Sequence, residues 1–141
     1  ATDGDISIAT DLPAAPLPVV TDAERLRAVL VNVLTNAQHA VRARSSPPQG
    51  PGITLAVAPR PHDGWRIVVS DRGVGIAEAD LAVIFDPFYT TRGSGSGLGL
   101  PIARNIIEAL GGSINATSRL NDGTVITIDL PMRTLRAGGL A

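Results

Sequence analysis

Between Ala23 and Arg44 the apolar residues Leu26, Val29, Leu30, Val33, Leu34, Ala37, Ala40 and Val41 recur at three- and four-residue spacing. That period predicts one long amphipathic helix. No feature constrains the fold more, because a stripe of that length must be buried against a broad apolar surface. Thr21-Asp22-Ala23-Glu24 has the Ser/Thr-x-x-Glu spacing of a capping box at its start. The run from Ser45 to Gly52, SSPPQGPG, stops it. The covering surface is supplied by strands. Ile6 and Ile8 alternate with polar neighbours, and Val19-Val20 follows Pro13, Pro16 and Pro18. ITLAVA (53–58) and WRIVVS (65–70) flank a Pro/His/Asp/Gly turn and predict a hairpin. Strands at 113–118 and 124–130 are joined by Asn121-Asp122-Gly123. A short helix is expected over 78–84 and a second amphipathic one over 102–110, with Pro101 at its first position and Gly111-Gly112 at its end. The order predicts an α/β (α+β) two-layer sandwich: a mixed, mainly antiparallel sheet covered on one face by helices.

With 141 residues the chain is long enough for one domain and a core without metal or disulfide staples. Aromatics make up only 3%, so that core is built from Ala, Val, Ile and Leu. Residues 1–131 carry all the pattern; 132–141 are expected to be a disordered tail. A net charge of −1 leaves no electrostatic footprint for nucleic acid or an anionic membrane. All 12 basic residues are Arg, which excludes Schiff-base chemistry on Lys and argues against a P-loop. With no Cys there is no thiol nucleophile and no Cys-zinc site, and two His are too few for a His-rich metal site. No apolar run approaches a membrane span. The first residue is Ala1, not Met, so the chain is expected to be part of a longer protein.

Four clusters can carry chemistry, and each also has a plain structural reading. Asn32 and Asn36 lie on or next to the apolar face of the long helix; they either hydrogen-bond within the core or turn an amide oxygen to an ion or ligand. Asp71-x-Gly73-x-Gly75 follows an apolar strand; Asp71 either forms a turn or accepts from an exocyclic amine, with the glycines letting a ring approach the backbone. Gly93 to Leu100, GSGSGLGL, leads into a helix and is either a linker or a phosphate loop. It lacks the third glycine of a dinucleotide fingerprint. Phe85-Asp86-Pro87-Phe88 anchors a loop, and Arg92 beyond it either reaches a phosphate or is solvated.

In combination and order these clusters resemble the catalytic, ATP-binding domain of histidine kinases, within the superfamily that includes gyrase, chaperone and mismatch-repair ATPases. Leu30 to Ala37 (LVNVLTNA) is similar to that family's N box, Asp71 to Ile76 (DRGVGI) to its G1 box, Phe85 to Arg92 (FDPFYTTR) to its F box, and Gly95 to Leu100 (GSGLGL) to its G2 box. The resemblance spans roughly residues 5–131. It implies the Bergerat ATP-binding fold, with ATP and Mg²⁺ as cofactors. It implies that Asn36 ligates Mg²⁺ and that Asn32 supports the phosphate region. Asp71 would accept from the adenine amine, backed by Thr124, with Gly73, Gly75 and Ile76 forming the base pocket. Residues 89–97 would be a lid, and Gly95, Gly97, Leu98 and Gly99 would present backbone N–H groups to the phosphates. Further nucleotide contacts are implied for Ala40, Phe88, Thr91, Arg92, Gly93, Ser96 and Leu100, with Asn36 and Arg92 as the catalytic residues. His39 stands where many relatives carry Lys, and is either a phosphate contact or a solvated helix residue.

The implied partners are a His-bearing dimerisation and phosphotransfer domain, a downstream response regulator and, for the parent, a second copy of itself. No nucleic acid or direct membrane contact is implied. The domain would be cytoplasmic, its parent either soluble or membrane-anchored. Neither His39 nor His62 lies in a phosphoacceptor context, so the chain is expected to be a catalytic domain without its acceptor. Two alternatives remain: a Ser/Thr-kinase anti-sigma factor of the same fold, and a nucleotide-driven conformational switch without kinase activity.

Overall fold

The computed structural model describes residues 6–13, 22–60, 64–86 and 99–132. Along the chain these form β1 (Ile8–Asp11), α1 (Ala23–Arg42), β2 (Ile53–Pro59), β3 (Trp65–Asp71), α2 (Glu78–Leu81), α3 (Gly99–Ala109), β4 (Ser113–Arg119) and β5 (Gly123–Leu130). The sheet runs β1-β2-β3-β5-β4. Among the described strands only β1 and β2 pair in parallel, since the connection between them carries α1; the other pairings are antiparallel. The sheet is therefore mixed and mainly antiparallel, as the order of elements predicts. The second strand candidate, Val19-Val20, and the tail 133–141 lie outside the described residues.

α1 buries Val29, Val33, Ala37 and Val41, one side chain per turn, with Leu26, Leu30 and Leu34 partly buried beside them. Its N-cap is Asp22, not Thr21: the Asp22 carboxylate accepts from the Arg25 N–H at 3.1 Å. The boundary moves by one because Asp22 bonds the N–H three residues on, the geometry the capping box would have given Thr21. A cap is worth about 1 kcal/mol, whereas each fully buried Val, Leu or Ile stabilises by about 1.5–3 kcal/mol, so packing holds this helix. Ala103 and Ile107 of α3, with Leu110 just beyond it, meet the same core. Across the sheet Ile53, Ile67, Val69, Ile114, Ile126, Ile128 and Leu130 complete it, all aliphatic as the scarcity of aromatics requires.

α3 begins at Gly99, so Pro101 is the third helical residue and not the first. The missing N–H is still harmless there, because the first four N–H groups of a helix have no intrahelical acceptor. The end of α3 is a Schellman motif. Gly111 has φ 90° and donates to Glu108 O at 3.0 Å, and Gly112 donates to Ile107 O at 2.9 Å. α2 is shorter than expected, ending at Leu81.

Candidate functional site

The period of two in strands and the sheet register decide what surrounds Asp71. Asp71 is the last residue of β3, paired with Thr124 on β5, and Thr124 in turn is paired with Ser118 on β4. A polar row, Asp71–Thr124–Ser118, therefore crosses three neighbouring strands on the face that carries Val69, Ile126 and the helices. Asp71 Oδ1 accepts from the Gly73 N–H at 2.9 Å and the Thr124 N–H at 3.3 Å. Both bonds land on one oxygen, so among the described residues Oδ2 keeps its acceptor capacity. Burial pushes the Asp71 carboxyl above its ordinary range, and the two backbone N–H groups pull only partly against it. No cation partners it among the described residues. The row continues through Ser118, whose Oγ accepts from the Ile76 N–H at 2.8 Å and lies 2.8 Å from Thr124 Oγ1.

The glycines around Asp71 are demanded by the protein's own backbone. A Cβ on Gly73 would stand 2.5 Å from Ala40 Cβ on α1. Gly75 has φ +75° and a Cβ there would stand 2.1 Å from Arg119 O; on Gly123, with φ +105°, it would stand 1.9 Å from Asp71 O. The close approach expected of a ligand ring is, for these residues, an approach of helix and turn. The loop after Asp71 is pressed onto α1, where Val74 donates to Ala40 O at 3.2 Å, and onto the β4–β5 turn, where Asn121 donates to Val74 O at 2.8 Å. It is braced from the α1–β2 loop as well: Arg44 Nη1 donates to Arg72 O at 3.1 Å and Arg72 Nη1 to Gln49 O at 2.6 Å.

On α1, Asn32, Asn36 and Ala40 follow at four-residue spacing, half-buried beside the fully buried Val stripe. Ala40 touches Gly73, so Asn36 sits one turn from the loop that follows Asp71. His39 belongs to the same turn, and its Nδ1 is the one buried side-chain polar atom among the described residues without a hydrogen-bond partner. The structure thus brings the Asn-bearing side of α1 and the Asp71 loop together at one end of the sheet.

Phe88, Thr91, Arg92, Gly93, Gly95, Ser96, Gly97 and Leu98, with the rest of the expected lid, lie outside the described residues. Of that stretch Gly99 and Leu100 form the first turn of α3, and Leu100 packs against the core. Phe85 also packs there, with Arg104 5.7 Å over its ring. Ser118 is the site residue that sequence reasoning missed. Its signal was present: the turn at Asn121-Asp122-Gly123 sets Ser118 opposite Thr124 across the hairpin.

A half-buried carboxylate with an oxygen open among the described residues, a hydroxyl beside it and amide side chains one and two helical turns along α1 suit a ligand with an amine donor at one end and anionic oxygens at the other. Residues 21–134 match the histidine kinase-, DNA gyrase B-, and HSP90-like ATPase family. The chain belongs to this family. It is thus an ATPase-family domain, and its nucleotide is ATP. It is 40% identical to the sensor histidine kinase ZraS of Salmonella typhi over 81% of its own length and 23% of that protein's. The fold superimposes on the mycobacterial sensor histidine kinase MprB with a TM-score of 0.77 and 28% identity, covering 94% of this chain and 86% of the other. Full-length ShkA, solved in complex with AMPPNP, matches with a TM-score of 0.76 and 31% identity over 94% of this chain and 27% of that one. The chain spans about a quarter of the length of the curated relatives it matches. No helix among the described residues is long and apolar enough to cross a membrane.

Proposed function

We propose that this ATPase-family domain binds Mg²⁺-ATP and, in its parent protein, transfers the γ-phosphoryl group to a His on a separate dimerisation and phosphotransfer domain, from which a response regulator receives it. The observation that carries the nucleotide reading is Asp71: a half-buried carboxylate, unpaired by any cation among the described residues, with one oxygen fixed by two backbone N–H groups and the other open. Such a group is suited to accept from the exocyclic amine of adenine. Thr124 backs it, and Gly73, Gly75 and Ile76 form the wall beside it.

Mg²⁺ takes one or two oxygens from protein and the rest from phosphates and water. Among the described residues no group of three or more His, Cys, Asp or Glu could hold a metal. The amide oxygen of Asn36 fits the single-ligand demand, with Asn32 one turn before it toward the phosphates. His39, with its orphaned Nδ1, adds a group that a phosphate oxygen can satisfy. Bound Mg²⁺-ATP supplies the phosphoryl group and the neutralising charge that such transfers need; the protein's part is positioning. Residues 89–97 would cover the triphosphate, with Arg92 on a phosphate and the backbone of Gly95, Gly97, Leu98 and Gly99 donating to its oxygens. The working parent would be a homodimer in the cytoplasm, with residues 1–131 as this domain.

The chain alone should bind ATP without labelling itself, because no His lies in an acceptor context. A γ-phosphate without an aligned nucleophile forgoes the proximity contribution, roughly 7–11 kcal/mol of barrier. Incubation with γ-labelled ATP and the parent's His-bearing domain should yield acid-labile, base-stable label on that domain, weakly because the tether is gone. Acid-stable label on this chain alone would mean hydroxyl phosphorylation and would overturn the proposal.

A further inference from the structure

Ser118 Oγ has three polar neighbours: the Ile76 N–H at 2.8 Å, Gly123 O at 2.9 Å and Thr124 Oγ1 at 2.8 Å. A hydroxyl has one hydrogen and two lone pairs. The Ile76 N–H occupies one lone pair. Gly123 O has no hydrogen to give, so it takes the Ser118 hydrogen. The remaining lone pair faces Thr124 Oγ1, and Thr124 must donate to it. The opposite direction would set the lone pairs of Ser118 against those of Gly123 O at 2.9 Å. The Thr124 hydrogen is therefore committed away from Asp71.

From this we infer that Ser118 is a specificity-determining residue: by fixing the proton direction of the row, it leaves Thr124 Oγ1 and the Asp71 carboxylate as acceptors only. Resting on the adenine reading of Asp71, this goes further, because an acceptor-only pair distinguishes purines by their 6-substituent. A 6-amino group brings two hydrogens, one for each acceptor, directly or through a water. A 6-oxo purine brings lone pairs at that substituent and only one neighbouring hydrogen, on N1, so at least one of the two buried acceptors is left unpaired, the situation binding sites reject most strongly. Ser118 touches no ligand in this account; it acts through Thr124 and is a positioning residue.

The test compares ADP with inosine diphosphate, which differ at this substituent, by calorimetry without metal. The wild-type chain should prefer ADP. Ser118→Ala frees the Thr124 hydroxyl to turn its hydrogen toward the ligand, so ADP should weaken while inosine diphosphate holds or tightens. The ratio should shrink by about tenfold, the worth of one hydrogen bond. Ser118→Thr keeps the hydroxyl and should restore the ratio. Equal weakening of both ligands in Ser118→Ala would mean a merely structural Ser118 and would overturn the inference. If Ser118→Ala does not fold, Thr124→Val removes the acceptor while Ser118 keeps Ile76 and Gly123; an unchanged ratio there overturns it equally. Asp71→Ala separates the two failures. If it leaves ADP affinity unchanged, the adenine reading itself falls; if it abolishes binding while the ratio ignores Ser118, only the proton-direction inference falls.

Discussion

Two aspartates on adjacent strands of the same sheet have opposite fates. Asp71 ends β3 and Asp129 lies near the end of β5, at opposite ends and on opposite faces, since Asp71 pairs with Thr124 and Asp129 with Arg66. Arg66 grips Asp129 with Nε at 2.7 Å and Nη2 at 3.1 Å, and Arg60 stands 3.8 Å away. Those guanidinium groups hold the Asp129 carboxyl below the usual carboxylate range despite the burial that opposes them. Asp71 has no such partner among the described residues, and burial raises it. The sheet thus holds one carboxylate satisfied by two guanidinium groups and leaves another without a counter-charge among the described residues. Perturbation by burial without a counter-charge is what marks Asp71 as the candidate for ligand binding.

The largest effect separating them should come from Asp71→Asn. The amide can still accept from the Gly73 and Thr124 N–H groups through its oxygen. Its NH₂ would face the adenine amine donor to donor, and ADP affinity should fall by about 100-fold. The melting temperature at neutral pH should not fall, because the substitution removes a charge that burial disfavours. Calorimetry and thermal melts check both, and unchanged ADP affinity in the folded variant would erase the distinction drawn here.

A middle-sized effect should appear on acidification. Asp71 is raised in the folded state, so its contribution to stability is present at low pH and lost as pH rises through its folded pKa. Asp129 is lowered, so its contribution is present above 3.8, the ordinary carboxylate value, and lost as pH falls below it. Because Asp71 must be ionised to accept from the amine, ADP affinity should fall on acidification while the pH is still above 3.8, where the Asp129 pair holds. Titrations alongside Asp71→Asn subtract the nucleotide's own protonation. If binding and fold fail at the same pH in both proteins, the two carboxylates are not distinguished by their surroundings.

The smallest effect belongs to Asp129→Asn. The pair is half open to solvent on the Arg66 side, so screening keeps its contribution small. The variant should melt slightly below the wild type at neutral pH, the gap should close below pH 3.8, and ADP affinity should not change. A loss of ADP affinity would connect the two ends of the sheet.

Much of this protein was legible in residue order. The four-residue rhythm of Val29, Val33, Ala37 and Val41 determined the long helix and its buried face, because helical periodicity is local. The turns at Gly111-Gly112 and Asn121-Asp122-Gly123 did the same for the strands that follow, because positive φ favours particular residues locally. Asp71, Asn36 and the glycines were recognisable by type and spacing. Thr124 behind Asp71 was implied by the family resemblance, but residue order alone did not place it there, because β3 and β5 are distant in sequence. Only pairing β3 with β5 and β5 with β4 sets Thr124 and Ser118 in one row with Asp71. Only packing of the loop on α1 and the β4–β5 turn shows that Gly73 and Gly75 make room for backbone. The direction in which the Ser118 and Thr124 hydroxyls point their hydrogens was likewise decided in three dimensions. It follows from counting donors and acceptors around one oxygen, and the chain order does not reveal which donors and acceptors will be there.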